Sequence, residues 1–362
     1  MPETLRAYGR QRLADAGQAD IMKDRHAAHV LRMVRAARSA WQSTQQPVWL
    51  RRLEAEHGNI RAALQWSIER GDAATAVRLA GSLYPLWDRH GHYREGRYWL
   101  TRALALPAPV PPVVRARALD SLAGLAVLQG DLAAAAAAAA ESAETSRAAG
   151  DGVGTAGALT TSGLVAIYSG DHDRAAGVLE EALKHARAAR SPWSEGFALL
   201  YLGTVALAVG DRDRAAGLVA ECLPVLRSTG DPEALAALHV LRGMVAWRAG
   251  DPGTTVEALD AALRGYRSLG HAWGLALALY LAAELAVGRG DQGRAVSLLA
   301  TSAALRDSVG AAVMPFNQAW IDAMLARART DLTPDAFDAA WRAGRAAPPA
   351  TVIDQILAEG HE

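Results

Sequence analysis

The stretch Gly203-Thr204-Val205-Ala206-Leu207-Ala208-Val209-Gly210-Asp211-Arg212-Asp213-Arg214-Ala215-Ala216 decides the fold. An apolar run ends at Gly210, Asp211 follows at once, and a second Ala-rich run begins. Glycine just past a helix takes left-handed backbone without a Cβ penalty. The aspartate next to it accepts hydrogen bonds from the free N–H groups of the following helix. Gly-Asp is therefore a stop followed by a start. The same pair stands at 130–131, 170–171, 250–251 and 290–291, a spacing of 40 residues each time. Midway between lie Gly150-Asp151, Arg190-Ser191, Gly230-Asp231, Gly270-His271 and Gly310-Ala311. The segments between breaks are rich in Ala, Leu and Arg and nearly free of internal proline. Each holds some four helical turns, about 25 Å. Antiparallel helical hairpins repeated at a fixed period stack into a solenoid.

Alignment on the glycine of Gly-Asp supports the period. Four residues before it stand Ala126, Ala166, Ala206, Ala246 and Ala286; seven before it, Ala123, Gly163, Gly203, Gly243 and Ala283. Five after it come Ala135, Ala175, Ala215, Thr255 and Ala295; twelve after it, Ser142, Ala182, Cys222, Ala262 and Ser302. Small side chains at fixed positions let helices approach toward the short end of the usual range. Cys222 thus fills a packing slot. The pattern resembles the tetratricopeptide repeat (TPR) over roughly residues 73–310, with about 40 residues per unit instead of the usual 34. That resemblance implies an all-α, right-handed superhelical solenoid of antiparallel hairpins. The extra residues are expected to lengthen the helices by about a turn in total and to alter the pitch. An earlier unit, with Gly71-Asp72 and Gly91-His92, carries Tyr84 and Trp87 at the small positions and reads as an irregular first repeat.

Composition bounds the function. The 362 residues carry equal numbers of Lys plus Arg and Asp plus Glu. That balance gives no basic excess for phosphate contacts, so direct nucleic-acid binding is not expected. A single cysteine excludes a disulfide framework and a cysteine-based zinc site. It fits a reducing, cytoplasmic setting. The start, Met1 to Arg6, lacks the apolar core of a signal peptide. No apolar run reaches membrane-spanning length, and no membrane role is expected. The nearest, Leu132 with the alanines through Ala140, is flanked by Asp131 and Glu141.

The ends depart from the 40-residue register. Residues 1–70 form an N-terminal helical segment with apolar stripes at Leu5, Tyr8 and Leu13, and at His29, Val30, Met33 and Val34. Residues 49–70 read as one strong helix or two. The repeat array is placed at 71–310. Pro107, Pro109, Pro111 and Pro112 make a stiff connector, either a subdomain boundary or a long loop between repeats. Residues 311–362 are read as capping helices at about 316–329, 334–344 and 351–359.

Three stretches resemble STAND-class regulatory ATPases, the large LuxR-type and antibiotic-regulatory activators. Glu3-Thr4-Leu5-Arg6-Ala7-Tyr8, closing with Arg12-Leu13, resembles the exit of their winged-helix subdomain. Trp49-Leu50 through Leu53, Glu54, Glu56, His57, Asn59 to Leu64 and Trp66 resembles the junction that follows. Phe337-Asp338-Ala339-Ala340-Trp341 with Gly344-Arg345 resembles their C-terminal signature. The resemblance implies the C-terminal sensor region of such a regulator, a platform for effectors and partners that restrains a nucleotide-driven switch. The chain has neither a Gly-x-x-x-x-Gly-Lys-Ser/Thr phosphate loop nor an evident helix-turn-helix. Neither the ATPase nor the DNA reader is therefore expected in it.

Catalytic chemistry finds little footing. Gly152-Val153-Gly154-Thr155-Ala156-Gly157 matches the dinucleotide fingerprint but follows a helix break rather than a strand. His26 and His29 share a helix, and His90 and His92 flank a turn; they read as packed or exposed side chains, and no metal and no cofactor is expected. Glu180-Glu181 reads as a solvated face with i,i+4 pairing. The expected site is the concave groove, which in TPR arrays is lined by the first helix of each hairpin. Transferred to this register, that geometry gives Arg117, Asp120, Thr160, Leu164, Tyr168, Phe197, Thr204, Met244, Trp247, Arg248, Tyr280 and Glu284. The last four come from adjacent repeats and are read as a convergent group, with two other readings: packing for the aromatics, and mutual pairing of Arg248 and Glu284. The expectation is a non-catalytic module that binds a small-molecule effector, a peptide or a protein. A free-standing TPR scaffold that holds a partner in its groove is the alternative, and an enzyme a distant third.

Overall fold

The computed structural model describes residues 3–359, without the side chains of residues 3–7 and 10. Met1, Pro2 and most side chains of the winged-helix-like motif lie outside the described residues. Twenty helices and no strand occur among the described residues. They are α1 (Glu3–Asp15), α2 (Ala19–Arg38), α3 (Gln46–Ala55), α4 (His57–Glu69), α5 (Ala73–Ser82), α6 (Tyr84–Arg89), α7 (Tyr93–Leu104), α8 (Pro112–Leu128), α9 (Leu132–Ala148), α10 (Gly152–Tyr168), α11 (His172–Ala188), α12 (Pro192–Ala208), α13 (Arg212–Thr229), α14 (Pro232–Arg248), α15 (Pro252–Leu269), α16 (Ala272–Gly288), α17 (Gln292–Val309), α18 (Pro315–Asp331), α19 (Pro334–Ala346) and α20 (Pro349–Glu359).

Helices α8 to α17 make five regular hairpins, and the fold is an all-α solenoid. Each break works as the sequence chemistry requires. Gly210 has a φ of 82°. Asp131, Asp171, Asp211, Asp251 and Asp291 each accept a hydrogen bond from the backbone N–H three residues on. At the glycine-free break, Arg190 itself takes a φ of 52°. Helices α8, α10, α12, α14 and α16 also pack on one another and form the inner layer. The small-residue slots are tight. A Cβ on Gly203 would stand 2.8 Å from Leu241 Cδ2, and one on Gly243 2.3 Å from Leu281 Cδ2. Ser142 and Ser302 each donate to the backbone carbonyl 26 residues earlier. The Cys222 thiol does the same toward Gly196 in its own unit, 3.2 Å away. Burial pushes that thiol up to about 12, which leaves it a packing group.

Glu181 has an i,i+4 neighbour on its own helix, His185 Nε2 at 3.8 Å, and both Glu180 and Glu181 also pair between units. Glu181 takes Arg147 from the preceding unit at 2.8 Å, and Glu180 takes Arg214 from the following one at 2.8 Å. These ion pairs stitch neighbouring hairpins together. In the irregular first unit the helix breaks at Leu83, so that α5 and α6 together replace one regular helix. The stretch 49–70 contains two helices, which meet at Glu56. The proline connector is a long loop between helices α7 and α8, which pack together. Tyr8, expected on an apolar stripe, is 64% exposed. At the other end, α19 lies on α17, and α20 reaches α15 and α17.

The array returns to its own beginning. Gln46 Nε2 stands 3.5 Å from Asp231 Oδ1, a pair 185 residues apart. Ala312 N donates to Leu128 O at 2.7 Å, His271 Nε2 lies 3.7 Å from Asp88 Oδ1, and Gly91 sits against Val309. The first three of these pairs have nearly the same sequence separation. The superhelix therefore closes on itself after between four and five hairpins, and its hollow becomes an interior.

Candidate functional site

Two adjoining cavities occupy that interior, with volumes of about 180 and 80 Å³. The inner helices build the larger. Helix α8 contributes Asp120, Gly124 and Leu128. Helix α10 contributes Gly157, Thr160, Leu164 and Tyr168, positions spaced three or four apart along one face. Trp193, Phe197 and Tyr201 form a stripe at i, i+4 and i+8 on α12. Tyr84, Asp88 and Arg89 arrive from α6, and Glu233, His271, Trp273 and Met314 from the units that close over it. Phe197, Tyr201, Glu233, Trp273 and Met314 also border the smaller cavity, which adds Thr204 and Met244.

A buried ionic cluster forms one wall. Arg89 Nη1 is 3.2 Å from Asp88 Oδ2, and Nη2 is 2.8 Å from Glu233 Oε2. Asp231 caps α14 by accepting from the Glu233 and Ala234 N–H groups and takes the Trp193 indole at 2.9 Å. Arg89 is thus the one guanidinium among three carboxylates. Burial pushes Glu233 up to about 7, against the pull of Arg89 and with the help of Asp231 and Asp88. Asp88 moves the other way: burial would raise it, but His271 and Arg89 hold it below the usual carboxylate range.

The sign of the Glu233 effect is fixed. The native state keeps a proton between about pH 4.5 and 7 that the unfolded chain releases. Its stabilisation is complete below that window and is lost as pH rises through it. Glu233→Gln cannot ionise. Relative to the parent, it should gain stability as pH rises from 4.5 to 8. Urea unfolding of both proteins at the two pH values checks this; a constant difference would place Glu233 in contact with solvent.

Several polar atoms around the larger cavity have no protein partner. Asp120 Oδ1, the Tyr168 hydroxyl and His271 Nδ1 are buried without hydrogen bonds, while His271 Nε2 faces Asp88 Oδ1 at 3.7 Å. Burial raises Asp120 to about 6, against a contribution from Thr161. Buried polar groups are nearly always satisfied, by protein, water or ligand. The interior thus combines aromatic walls with open hydrogen-bonding capacity.

The groove residues named from the sequence fall into two groups. Asp120, Thr160, Leu164, Tyr168 and Phe197 line the larger cavity, and Phe197, Thr204 and Met244 the smaller. Trp247, Arg248 and Glu284 meet each other instead. The Trp247 indole donates to Glu284 Oε2 at 2.6 Å, Arg248 lies 4.0 Å from Glu284 Oε1, and its guanidinium sits over Trp320. Tyr280 is 1% exposed and borders neither cavity. Arg117 borders a separate pocket with Arg35, Arg38 and Arg78. Sequence reasoning missed Tyr84, Asp88, Arg89, Trp193, Tyr201, Glu233, His271, Trp273 and Met314. One signal was available: Trp193, Glu233 and Trp273 occupy the same register position, two residues past the break, in three consecutive units.

Comparison with known proteins adds context. No protein-family model matches the chain. Over 127 residues it is 35% identical to proteins of Mycobacterium bovis and Mycobacterium tuberculosis whose description as HTH-type transcriptional regulators is itself provisional. The match covers 34% of this chain and 14% of theirs, so the chain spans about one seventh of the curated relatives it matches. Among solved structures, a Rap protein complexed with competence and sporulation factor has a similar fold. Its TM-score is 0.56 and its identity 15%, over 93% of this chain and 99% of that one. No helix among the described residues is long and apolar enough to cross a membrane.

Proposed function

We propose that this chain is the non-catalytic sensor module of a bacterial transcriptional regulator of the STAND type, and that its effector occupies the interior cavity. The observation that carries the reading is the set of unpartnered polar atoms, Asp120 Oδ1, Tyr168 Oη and His271 Nδ1, in a cavity walled by Trp193, Phe197 and Tyr201. Ligand pockets combine such apolar walls with a few convergent polar groups. The partial likeness to HTH-type regulators and the junction and C-terminal motifs support the regulatory context. A cavity of about 180 Å³ holds a small effector or a single side chain of a peptide. A larger ligand must part the contacts of Arg89 with Glu233 and of Asp88 with His271. Effector binding then shifts the population between closed and parted superhelix by its different affinity for the two.

A second reading is a scaffold that holds a peptide or protein partner in the same interior. The likeness in fold to a Rap protein captured with competence and sporulation factor favours it.

Both are tested by capture of the tagged chain from bacterial extract, with mass spectrometry of proteins and small molecules together. The comparison is Asp120→Asn/Phe197→Ala. The expected result is one species retained by the parent and reduced at least about tenfold in the variant, an effect of a few lost contacts, with an unchanged far-ultraviolet dichroism spectrum. Equal retention by both would move the site out of the interior.

A further inference from the structure

A second cluster of polar side chains lies outside the interior, where the N-terminal segment meets the irregular unit. Glu54 stands in the last turn of α3, and His57 opens α4. His90 and His92 flank Gly91 in the turn between α6 and α7, where a φ of 71° brings the two imidazoles to the same side as Glu54. The Glu54, His57 and His92 donor atoms all lie within 4.8 Å of one another. His92 Nε2 is 3.2 Å from Glu54 Oε2 and 3.3 Å from Oε1, and His90 Nδ1 is 2.8 Å from Oε2. His57 Nδ1 is 3.9 Å from Glu54 Oε1.

His57 carries the strongest pointer. Its Nε2 is buried without a hydrogen bond, although Glu95 Oε2 lies 3.2 Å away. Glu95 is itself gripped by Arg61 and by the Trp99 indole. With Nδ1 toward Glu54 and Nε2 toward Glu95, the ring has the outer carboxylate that orients a metal-bound imidazole. Donors in a tetrahedral zinc site with bonds of about 2.1 Å lie about 3.4 Å apart. The distances here straddle that value. All four side chains keep between 16% and 39% exposure, so an ion can enter from solvent.

We propose that Glu54, His57 and His92, with His90 as fourth donor, bind a divalent transition-metal ion of the zinc class. Imidazole with one carboxylate suits zinc, nickel or cobalt rather than magnesium or calcium. The ion ties α3 and α4 to the turn that presents Gly91 to Val309, and so braces the start of the array against its later turn. This departs from the expectation of no metal drawn from the sequence, where His90 and His92 appeared as isolated turn residues. It is independent of the effector reading, since none of its residues borders the interior cavities.

The test uses the tag-free full chain, stripped with a chelator and titrated with Zn²⁺ by calorimetry and with Co²⁺ by visible absorption. One equivalent is expected to bind, with a d–d band of low-symmetry N/O coordination and a higher melting temperature in the presence of metal. His57→Asn/His92→Asn should weaken binding at least about 100-fold and abolish the band, and Glu54→Gln and Glu95→Gln about tenfold each. His239→Ala, remote from the cluster, should leave binding intact. If the asparagine pair misfolds by circular dichroism, Glu54→Gln alone carries the comparison. Failure of the stripped protein to bind one equivalent, or equal binding by the folded variants, overturns the site.

Discussion

Arg89→Ala is expected to destabilise the protein by about 3–5 kcal/mol, because it leaves buried carboxylates without their cation. Asp88 and Glu233 both depend on that guanidinium, at 3.2 and 2.8 Å. Arg89 is 4% exposed, so water cannot take its place without a rearrangement of the wall. The loss should be largest above pH 7, where Glu233 is ionised in the parent, and smaller at pH 5, where it holds a proton. Urea unfolding at both pH values measures the effect. A double-mutant cycle with Glu233→Ala separates the charge from the packing, since removing both partners should recover part of the loss. A cost below about 1 kcal/mol at pH 8 would mean that the cluster is solvated and contributes as weakly as a surface pair.

Gly344→Ala is the second large effect. The backbone there is ordinary helix, so alanine would by propensity alone gain up to about 1 kcal/mol. Packing reverses the sign. A Cβ on Gly344 would stand 2.1 Å from the Ser297 carbonyl oxygen and 2.8 Å from its carbonyl carbon. The obstacle is the backbone of α17, which cannot rotate away as a side chain can. Helix α19 must lift, and its bond from Thr301 Oγ1 to Gly344 O at 2.8 Å stretches with it. Overpacking of this kind costs about 1–3 kcal/mol or more. The melting temperature should fall, with Phe337 and Trp341 losing their seat beside Val296 and Ala328. An unchanged melting curve would show that α19 docks loosely.

The periodic part of this molecule was legible because one dipeptide must do two jobs. A glycine that ends one helix and an aspartate that begins the next recur wherever a hairpin turns, and the small residues at Gly203, Gly243 and Cys222 mark where helices touch. The last two helices were legible through Pro334 and Pro349, each at a helix start. What the sequence hid depends on contacts without local pattern. Nothing near Gln46 announces Asp231, and nothing near Asp88 announces His271. Beyond the Glu181–His185 pair on one helix, the ion pairs of Glu180 and Glu181 with Arg214 and Arg147 reach neighbouring hairpins, which spacing along one helix does not announce. The Glu54, His57, His90 and His92 cluster draws on two helix ends and one turn. The inner-layer positions on α8, α10 and α12 came from transferring the geometry of the resembled TPR arrays, whereas Trp247, Arg248 and Glu284 meet one another, with Trp320 of α18 under the Arg248 guanidinium.

The contact between residues 185 positions apart also sets how this chain can fold and evolve. In an open array each unit touches only its neighbours, stability accumulates unit by unit, and repeats are gained or lost with little penalty. Here the later units must find the earlier ones across a loop of that length before the pairing rewards them, which favours slow, all-or-none assembly over zippering. Losing one hairpin would slide Asp231, Glu233 and His271 past Gln46, Arg89 and Asp88 by a whole unit and leave buried charges facing apolar wall. The count of repeats is therefore not free to drift: the molecule has a circumference, and its sequence must keep to it.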